Sequence, residues 1–550
     1  MVYLEHSDVL KFDEEKHPDA QLLKGNVCFR HDDAMMYCDS AYYYEKNNSL
    51  DAFGHVRLNQ GDTLQGFSER MYYDGNTKTA RMRKNVRLLH NNTLLTTDSL
   101  NYNRQADLAY YFGGGQINDS TNTLTSLWGQ YTPPTKQAMF KTDVRLCSEQ
   151  FTLDSDTLLY NTETHIAKIV SPAVILYEEE TTIYTSNGWH NTEQNQLMMY
   201  DRSLIWNHDG TTLTGDSMFY DKAQGKALLW HNIEVVDSTN QITLNGHYSE
   251  FYENDEWGFA TDSALVTLWS DSLNAYIHAD TIYAEQMKSR WMTLTQKDSV
   301  LIDSVMTAQK PDTAWTDTSF NRLRCFRHVR LYREDLQAVG DSIVYTEKDS
   351  MLRCYGQPII WSDNQQIAAD SILVFLANEE VEHAEGLGNA FACQQQTFEF
   401  FNQLSGKEII AYMDSGELKQ IYVKGNAETV YYPKEDDGTF TGVNKTQSSF
   451  VRIFLENEEI KRMLFTTATT GTMYPLKDMP PKQANLSAFF WANEERPMNK
   501  EDVFRQVEHA ERKATVASAT SEQDDEEKAA KEKKEKDKRK KSSKGGLKSK

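Results

Sequence analysis

The sequence predicts an all-β protein, an elongated stack of antiparallel β-hairpin rungs that is open and solenoid-like. Residues 85–102, NVRLLHNNTLLTTDSLNY, contain two runs in which apolar and polar residues alternate, separated by Asn91 and Asn92. Alternation with a period of two is typical of a strand with one covered face, and an Asn pair between such runs is typical of a hairpin turn. The 28 Tyr, 24 Phe and 10 Trp favour strands with apolar faces over disorder.

This hairpin recurs along the chain. Residues equivalent to Val86 are spaced 27 to 32 positions apart, at Val27, Val56, Val86, Ile117, Val144, Val174, Leu204, Ile233 and Leu265. The second half of each copy is marked by an Asp beside Ser or Thr, at Asp39, Asp98, Asp156, Asp216, Asp341 and Asp370. A constant step of this size indicates stacked copies of one supersecondary unit.

Five segments follow from where the repeat holds and where it stops. They are an N-terminal β-repeat domain (1–284), a polar insertion loop (285–320), a second β-repeat segment (321–475), a capping segment with a short helix (476–520) and a disordered Lys/Glu-rich tail (521–550). The capping segment is expected because the last rung of a repeat array has an open edge. The short helix is predicted to start at Asn499, with Val503, Phe504 and Val507 on one face.

The charge excludes one class of partner. The net charge is −23, and residues 521–550 hold 12 Lys/Arg against 8 Asp/Glu, so the body before them carries −27. Nucleic-acid binding requires basic grooves, so we expect no nucleic acid as the main partner. No run of 18 apolar residues occurs, so no helix is expected to span a bilayer.

The residues predict no enzyme. The recurrent Asp is the most tempting catalytic candidate, but a catalytic acid occurs once or twice per site, not once per rung. Asp beside Ser at the start of a strand is expected to bond nearby backbone N–H groups. No phosphate-binding loop, dinucleotide motif or nucleophile elbow appears. We therefore expect no catalytic residue, no metal and no cofactor.

The covered face of the rungs is the remaining candidate for a site. We predict nine residues of the first rungs on an apolar inner face: Val27, Phe29, Tyr42, Val56, Leu58, Val86, Leu88, Leu100 and Tyr102. If the two halves of the stack touch, this strip is an ordinary core. If they splay, it is a trough that could hold acyl chains, each buried CH₂ contributing about 0.8 kcal/mol. Periodicity does not choose between the two, and the residues alone favour the core.

A family resemblance adds to this interpretation. The cadence of Gly25–Phe29 (GNVCF), Asp39–Tyr43 (DSAYY) and Gly61–Leu64 (GDTL) resembles the OstA-like family, periplasmic lipopolysaccharide-transport proteins related to the organic solvent tolerance protein. The chain is most similar to the long members of Bacteroidetes-type bacteria, over about residues 2–473. The resemblance implies an open β-jellyroll that holds lipopolysaccharide acyl chains inside. It also implies end-to-end self-association, lipopolysaccharide-transport partners at the inner and outer membranes, and a periplasmic location. No leader is visible, and we expect that it is missing from this sequence.

Three functional hypotheses follow. The first is a non-enzymatic lipopolysaccharide carrier or bridge. The second is a structural or interaction β-repeat protein of the cell envelope with a closed core. The third is an enzyme such as a β-helical polysaccharide lyase, which would need a carboxylate or basic cluster that the sequence does not show.

Overall fold

A computed structural model describes residues 1–507, apart from residues 13–14, 16–17, 62–63, 179, 271–272, 296–311, 378–379, 415–416, 436, 457–458 and 481–482. The fold is all-β with antiparallel pairing, as predicted. The chain divides into two units: unit 1 holds residues 1–270 and 283–285, and unit 2 holds residues 271–282 and 286 onward. The predicted tail, residues 521–550, lies outside the described residues.

Unit 1 is a ladder of antiparallel strands: consecutive strands pair where a rung is one long strand, and where a rung is broken into two short strands each half pairs with the corresponding half of the next rung. Its strands are β1 (Tyr3–His6), β2 (Val9–Phe12), β3 (Gln21–His31), β4 (Ala34–Tyr44), β5 (Ser49–Gln60), β6 (Leu64–Asp74), β7 (Thr79–His90), β8 (Thr93–Asn103), β9 (Leu108–Asn118), β10 (Thr123–Thr132), β11 (Gln137–Cys147), β12 (Phe151–Asn161), β13 (Ile166–Ile169), β14 (Ala173–Tyr177), β15 (Thr181–Thr185), β16 (Gly188–Asn191), β17 (Gln196–Met199), β18 (Ser203–Asn207), β19 (Thr211–Gly215), β20 (Ser217–Asp221), β21 (Lys226–Asp237), β22 (Ile242–Tyr252) and β23 (Trp257–Leu268). Two short 3-10 helices, Glu45–Asn47 and Pro133–Thr135, lie in the turns.

Each long strand bends in its middle, at a position that we call the crease. On one strand of each hairpin two successive residues take left-handed backbone angles, for example Lys84 (φ 63°) and Asn85 (φ 48°). These two residues face one residue of the neighbouring strand, so the ladder register shifts there. Such a two-against-one bulge bends a strand sharply. The bend divides every rung into two half-strands, and the half-strands stack into two half-sheets.

The recurrent Asp stabilises the crease. Asp39 lies in the middle of β4, not at its start, and its Oδ2 is 2.7 Å from Nδ1 of His55, a left-handed residue of the next strand. Asn389 Nδ2 donates to Asp370 Oδ2 at 3.0 Å in the same way in unit 2. The structural role predicted for this Asp is confirmed. In these two cases its partner is a side chain at the crease of a neighbouring strand rather than a nearby backbone N–H group.

The crease also corrects the predicted sidedness of several residues. The bulged strand keeps one inward parity through the crease, as at Met82 and Val86 of β7, whereas the facing strand, which has one residue fewer there, changes parity, as between Cys38 and Ala41 of β4. Tyr42 therefore lies on the outer face, where its ring meets Phe53 at 6.1 Å, and its neighbour Tyr43 faces inward. Val174, predicted to be equivalent to Val86, also points outward and is 39% exposed.

Unit 2 repeats the bent-strand plan. Its strands are β24 (Ala275–Thr295), of which residues 283–285 belong to unit 1, β25 (Asp312–Arg333), β26 (Leu336–Thr346), β27 (Met351–Tyr355), β28 (Ile359–Ser362), β29 (Gln365–Ala368), β30 (Ser371–Ala377), β31 (Glu380–Gln395), β32 (Phe401–Asp414), β33 (Glu417–Tyr431), β34 (Gly442–Glu456), β35 (Glu459–Thr466) and β36 (Thr470–Pro475). Strands β24 and β25 extend into the predicted loop 285–320, so residues 285–295 and 312–320 are strand rather than loop. Residues 296–311 lie outside the described residues.

The capping segment covers unit 2, but it does so without the predicted α-helix. Two 3-10 helices, Leu476–Asp478 and Asp502–Phe504, are the helices of its described part. Asn499 lies in the turn before the second one, where its Oδ1 accepts from the Asp502 N–H at 2.9 Å. The chain then extends at Arg505 because tertiary contacts outweigh the helical pattern: Val503 is buried and the Phe504 ring packs 4.7 Å from His278.

The crease hydrogen bond gives a first prediction. Asn389→Ala should destabilise unit 2 by about 1–2 kcal/mol, because alanine disfavours the left-handed φ of 43° and removes the bond to Asp370. Asn389→Gly removes the bond but tolerates the backbone angle, so it should cost less. Urea unfolding measures both. Equal loss in the two variants, or none in either, would contradict the role of the left-handed angle.

Candidate functional site

The candidate site is the interior between the two half-sheets. In unit 1 one half-sheet presents an unbroken row of cross-strand neighbours to this interior. The row runs through Phe29, Met36, Leu58, Gly66, Leu88, Leu95, Ile117, Leu124, Leu146, Leu153, Ile175, Ile183, Ile205, Leu213, Val235, Leu244 and Val266. Its apolar side chains are all buried.

The other half-sheet faces this row with smaller and more flexible side chains. Between β3 and β12 its matching row runs through Leu23, Ala41, Ala52, Met71, Met82, Leu100, Tyr111, Gly129, Phe140 and Leu158. The halves touch, since a Cβ built on Gly66 would lie 3.2 Å from the Met82 Cε of the opposite half. Tyr111 fills the space left by Gly115 and Gly129, where an added Cβ would collide with its ring.

A ladder of tyrosines closes the edge of unit 1 away from the crease. Here tyrosines alternate with small or aliphatic residues on neighbouring strands, in the order Tyr43, Leu50, Tyr73, Ala80, Tyr102, Ala109, Tyr131, Ala138, Tyr160 and Ala167. The large rings fit because each has a smaller neighbour on either side. These tyrosines are 0–7% exposed. We call this row the tyrosine ladder.

Each hydroxyl of the tyrosine ladder bonds a group 41 or 42 residues earlier in the chain, which belongs to the facing half. Tyr102 donates to Gln60 Oε1 at 2.9 Å, and Tyr160 donates to Asp119 Oδ2 at 2.5 Å. Three further bonds of the same kind join Tyr43 to the Val2 carbonyl, Tyr73 to His31 and Tyr131 to His90. The two edges of unit 1 are thus fastened together once per rung.

The open trough predicted for the first rungs is therefore wrong in unit 1. Eight of the nine predicted inner-face residues do point inward, but they are 0–2% exposed and pack against one another: Val27, Phe29, Val56, Leu58, Val86, Leu88, Leu100 and Tyr102. The ninth, Tyr42, lies outside. The sequence could not reveal this closure, because nothing in a strand pattern shows which groups the Tyr hydroxyls reach.

His190 stands in the ladder where a tyrosine would be expected. It is the cross-strand neighbour of Ala167 and Leu197, and it lies 2.7 Å from the Tyr177 hydroxyl. The ring of Phe151 packs edge-on against it, with centroids 4.4 Å apart. Burial lowers the pKa of His190 to about 3, because the charged imidazolium would have to leave water. The closed core of unit 1 thus depends on a neutral histidine.

This burial predicts a pH dependence. The unfolded chain takes up the His190 proton near pH 6.5, whereas the folded chain does so only near pH 3. Stability is therefore complete above pH 6.5 and falls as the pH decreases. Between pH 7.5 and 5.0 this one group should cost about 2 kcal/mol. Urea unfolding at both pH values measures this: the free energy of unfolding should fall by about 2 kcal/mol less in His190→Gln than in the parent.

The control for this prediction is His208→Gln, because the His208 side chain is exposed. It should keep the pH dependence of the parent. An unchanged slope in His190→Gln would show that the imidazole is not held neutral by the fold.

The interior of unit 2 is buried near the crease. There the row Cys325, Ile343, Cys354, Ile372, Gly386, Ile409, Val423 and Val451 is buried. The halves meet at this depth, since a Cβ built on Gly386 would lie 3.5 Å from the Ile367 Cδ1 of the facing half.

Away from the crease, apolar side chains of unit 2 are partly exposed on both halves. One half presents the neighbours Ile360, Ile367, Ala392 and Leu404, all half-buried. The other half presents Leu323, Tyr345 and Leu352, also half-buried, in the row that corresponds to the tyrosine ladder. On the next strands of that row, Val374 and Ala411 occupy ladder positions and have no hydroxyl with which to fasten the edge. The sequence analysis looked for the inner face in the first rungs and missed this stretch.

Residues 484–505, which we call the strap, cover the outer face of one half-sheet of unit 2. Three glutamines hold it, and each is 0–2% exposed: Gln337, Gln366 and Gln403. Gln366 accepts from the Ala492 N–H at 2.8 Å and donates to the Phe490 carbonyl at 3.0 Å. Gln403 bonds the Leu486 N–H, and Gln337 accepts from Arg496 Nε at 2.7 Å.

The strap glutamines share one place in the repeat. Gln337 and Gln366 lie four residues before Asp341 and Asp370, the crease residues of their strands. Phe489, Phe490 and Trp491 pack against the outward side chains between them, such as Trp361 and Phe391. A buried Gln recurring at a normally outward position was a signal for this cover that the sequence analysis did not use.

Other kinds of site find little support in the described part of the chain. No group of three or more His, Cys, Asp or Glu there is placed to hold a metal ion. Where the structure can be followed, none of its helices has the length and apolar character needed to cross a bilayer.

Comparison with known proteins places the N-terminal part of the chain. The family described as OstA-like protein matches residues 1–156. Among solved structures, LptH of Pseudomonas aeruginosa, described as the LptA-homologous periplasmic component of the lipopolysaccharide transport device, is 13% identical; the match covers 19% of this chain and 79% of LptH, with a TM-score of 0.18. The comparison with curated proteins found no match. The resemblance, predicted over about residues 2–473, is confirmed over residues 1–156, which we call the OstA-like segment.

Proposed function

We propose that the protein is a non-enzymatic carrier in lipopolysaccharide transport, and that acyl chains bind between the half-sheets of unit 2. The observation that supports this most is the pair of partly exposed apolar rows that face each other there, with Ile367 and Leu404 on one side and Leu352 on the other. Apolar surface left in water is where an acyl chain gains most, at about 0.8 kcal/mol per buried CH₂.

In this proposal unit 1 is a closed body rather than the main lipid site. Binding at Leu100 or Tyr102 would require the tyrosine ladder to open, with the loss of one cross-edge hydrogen bond per rung. Each such bond is worth about 1 kcal/mol, and the apolar contacts beneath would be lost as well. The predicted inner-face residues of unit 1 would therefore contact lipid only in a state that opens these rungs.

The OstA-like segment supports the location and the partners that we propose for the protein. We expect a periplasmic location, contacts with lipopolysaccharide-transport proteins at the inner and outer membranes, and end-to-end self-association. These expectations rest on the family of residues 1–156. A second candidate, a structural or interaction protein of the cell envelope, is favoured by the closed core of unit 1.

The proposal can be tested by placing a photoreactive benzoylphenylalanine at single positions and adding lipopolysaccharide. At Ile367 and Leu404 it should crosslink to the lipid, because both side chains line the partly exposed interior. Tyr355 is a matched control in unit 2, since it lies on the outer face and is 42% exposed. Its crosslink yield should be several-fold lower.

A charged side chain placed in the interior of unit 2 provides a second test of lipid binding there. Leu404→Glu should weaken lipopolysaccharide binding, because a carboxylate beside the acyl chains would lose its water. Equal crosslinking at Tyr355 and Ile367, or no crosslinking at either interior position, would reject the carrier and favour the structural protein.

A further inference from the structure

A cluster of cations lies on the outer face of unit 1, in a chain whose net charge is −23. Strands β5, β6 and β7 contribute Arg57, Arg70, Arg81, Arg83, Lys84 and Arg87. Four of these cations, Arg70, Arg81, Arg83 and Lys84, line one shallow depression with Phe53 and Tyr72. Asp51 and Glu69 are the acidic residues in that lining, so the depression carries a net charge of +2.

Arg70 and Arg81 are held in place by aromatic rings rather than by tight ion pairs with carboxylates. The Arg70 guanidinium lies 5.1 Å from the Phe53 ring centroid, and Arg81 lies 5.6 Å from that of Tyr72. Arg83 also lies 5.5 Å from the Phe112 ring, but its Nη1 donates to the Met82 and Leu100 carbonyls and its Nη2 to Asn101 Oδ1, so its N–H groups are already engaged. A guanidinium that stacks on a ring keeps its N–H edge available for hydrogen bonds to an anion.

Few acidic groups neutralise the cluster. Arg70 approaches Asp51 only to 4.0 Å, and this is the one ion pair of the six cations in the described part of the chain. Burial raises the pKa of Asp51 above its ordinary value. The amide of Asn85 donates to the Glu69 carboxylate, which partly satisfies it.

Two of the arginines stand directly opposite each other. Arg70 and Arg83 are cross-strand partners on β6 and β7, where side chains start about 5 Å apart. Like charges in this position destabilise a sheet. A dianion beside them reduces this repulsion, and the three oxygens of a phosphate monoester can accept hydrogen bonds from the exposed Arg70 and Arg81 forks that line the same depression.

From this geometry we propose that the depression between β5 and β7 binds a phosphate monoester, carried by a soluble sugar phosphate or by a lipid headgroup. The charge of the site matches that of the dianion, and its arginines are pre-positioned by stacking. The site lies on the outer face and does not depend on the lipid-binding interior proposed for unit 2.

The test is calorimetric titration of the full chain at low salt, with glucose 1-phosphate as the probe and glucose as the uncharged control. The parent should bind glucose 1-phosphate and not glucose. The double variant Arg70→Gln/Arg81→Gln should bind glucose 1-phosphate at least about tenfold more weakly, because two charge-assisted contacts are lost. Both side chains are exposed, so the fold should persist, and circular dichroism checks this.

Arg145→Gln is the matched control. Arg145 is also exposed on unit 1, but the Asp154 carboxylate already engages it through two bonds of 2.6 and 2.9 Å. Its loss should leave binding unchanged. An equal loss in this variant, or a parent that does not bind glucose 1-phosphate, would overturn the proposal.

Vesicles of phosphatidylcholine with and without phosphatidic acid, whose headgroup is a phosphate monoester, separate the two sources. Arg-dependent binding of phosphatidic acid vesicles as well as glucose 1-phosphate assigns the site to a lipid headgroup, and binding of glucose 1-phosphate alone assigns it to a soluble phosphate. Binding of vesicles alone would overturn the proposal, because it would reflect general surface charge.

Discussion

The bend at the crease is the constraint on which the rest of the structure depends. Two successive residues with left-handed angles, such as Lys84 and Asn85, bend each long strand so that its two half-strands belong to two facing half-sheets. Most side chains disfavour left-handed angles, and the second residue of the pair is usually Asn, Gly, Asp or His, as at Asn26, His55 and Asn85. A carboxylate such as that of Asp39 then ties one crease to the next. Without this bend the same strands would form one flat sheet with no interior at all.

The same backbone plan encloses two different interiors because the side chains near the edge differ. In unit 1, tyrosines alternating with alanines fill the edge and their hydroxyls bond the facing half, so the inside is an ordinary core. In unit 2, residues such as Val374 and Ala411 stand at the corresponding positions, and apolar neighbours remain partly exposed. One backbone plan can therefore enclose a closed core in one segment and a partly exposed interior in another without any change of fold.

Much of this plan can be predicted from the sequence. The features that could not be predicted were missed for physical reasons. The strand period, the hairpin turns and the structural role of the Asp are all visible in residues 85–102. Sidedness was lost on the strand opposite each bulge, where the inward parity changes at the crease, so Tyr42 was predicted inside instead of Tyr43. Closure of unit 1 depends on hydroxyl partners about 40 residues away, and the strap depends on contacts between Gln366 and Phe490, 124 residues apart. Local patterns carry no signal for such distant pairs.

Hydroxyl-radical footprinting of the intact protein, read by mass spectrometry, tests the contrast between the two interiors most directly. The account predicts modification of Ile360, Ile367 and Leu404 in unit 2, and protection of Leu88, Leu100 and Tyr102 in unit 1. Added lipopolysaccharide should protect the unit 2 residues and leave those of unit 1 unchanged. Equal protection of both sets without lipid, or modification of the tyrosine ladder, would contradict it.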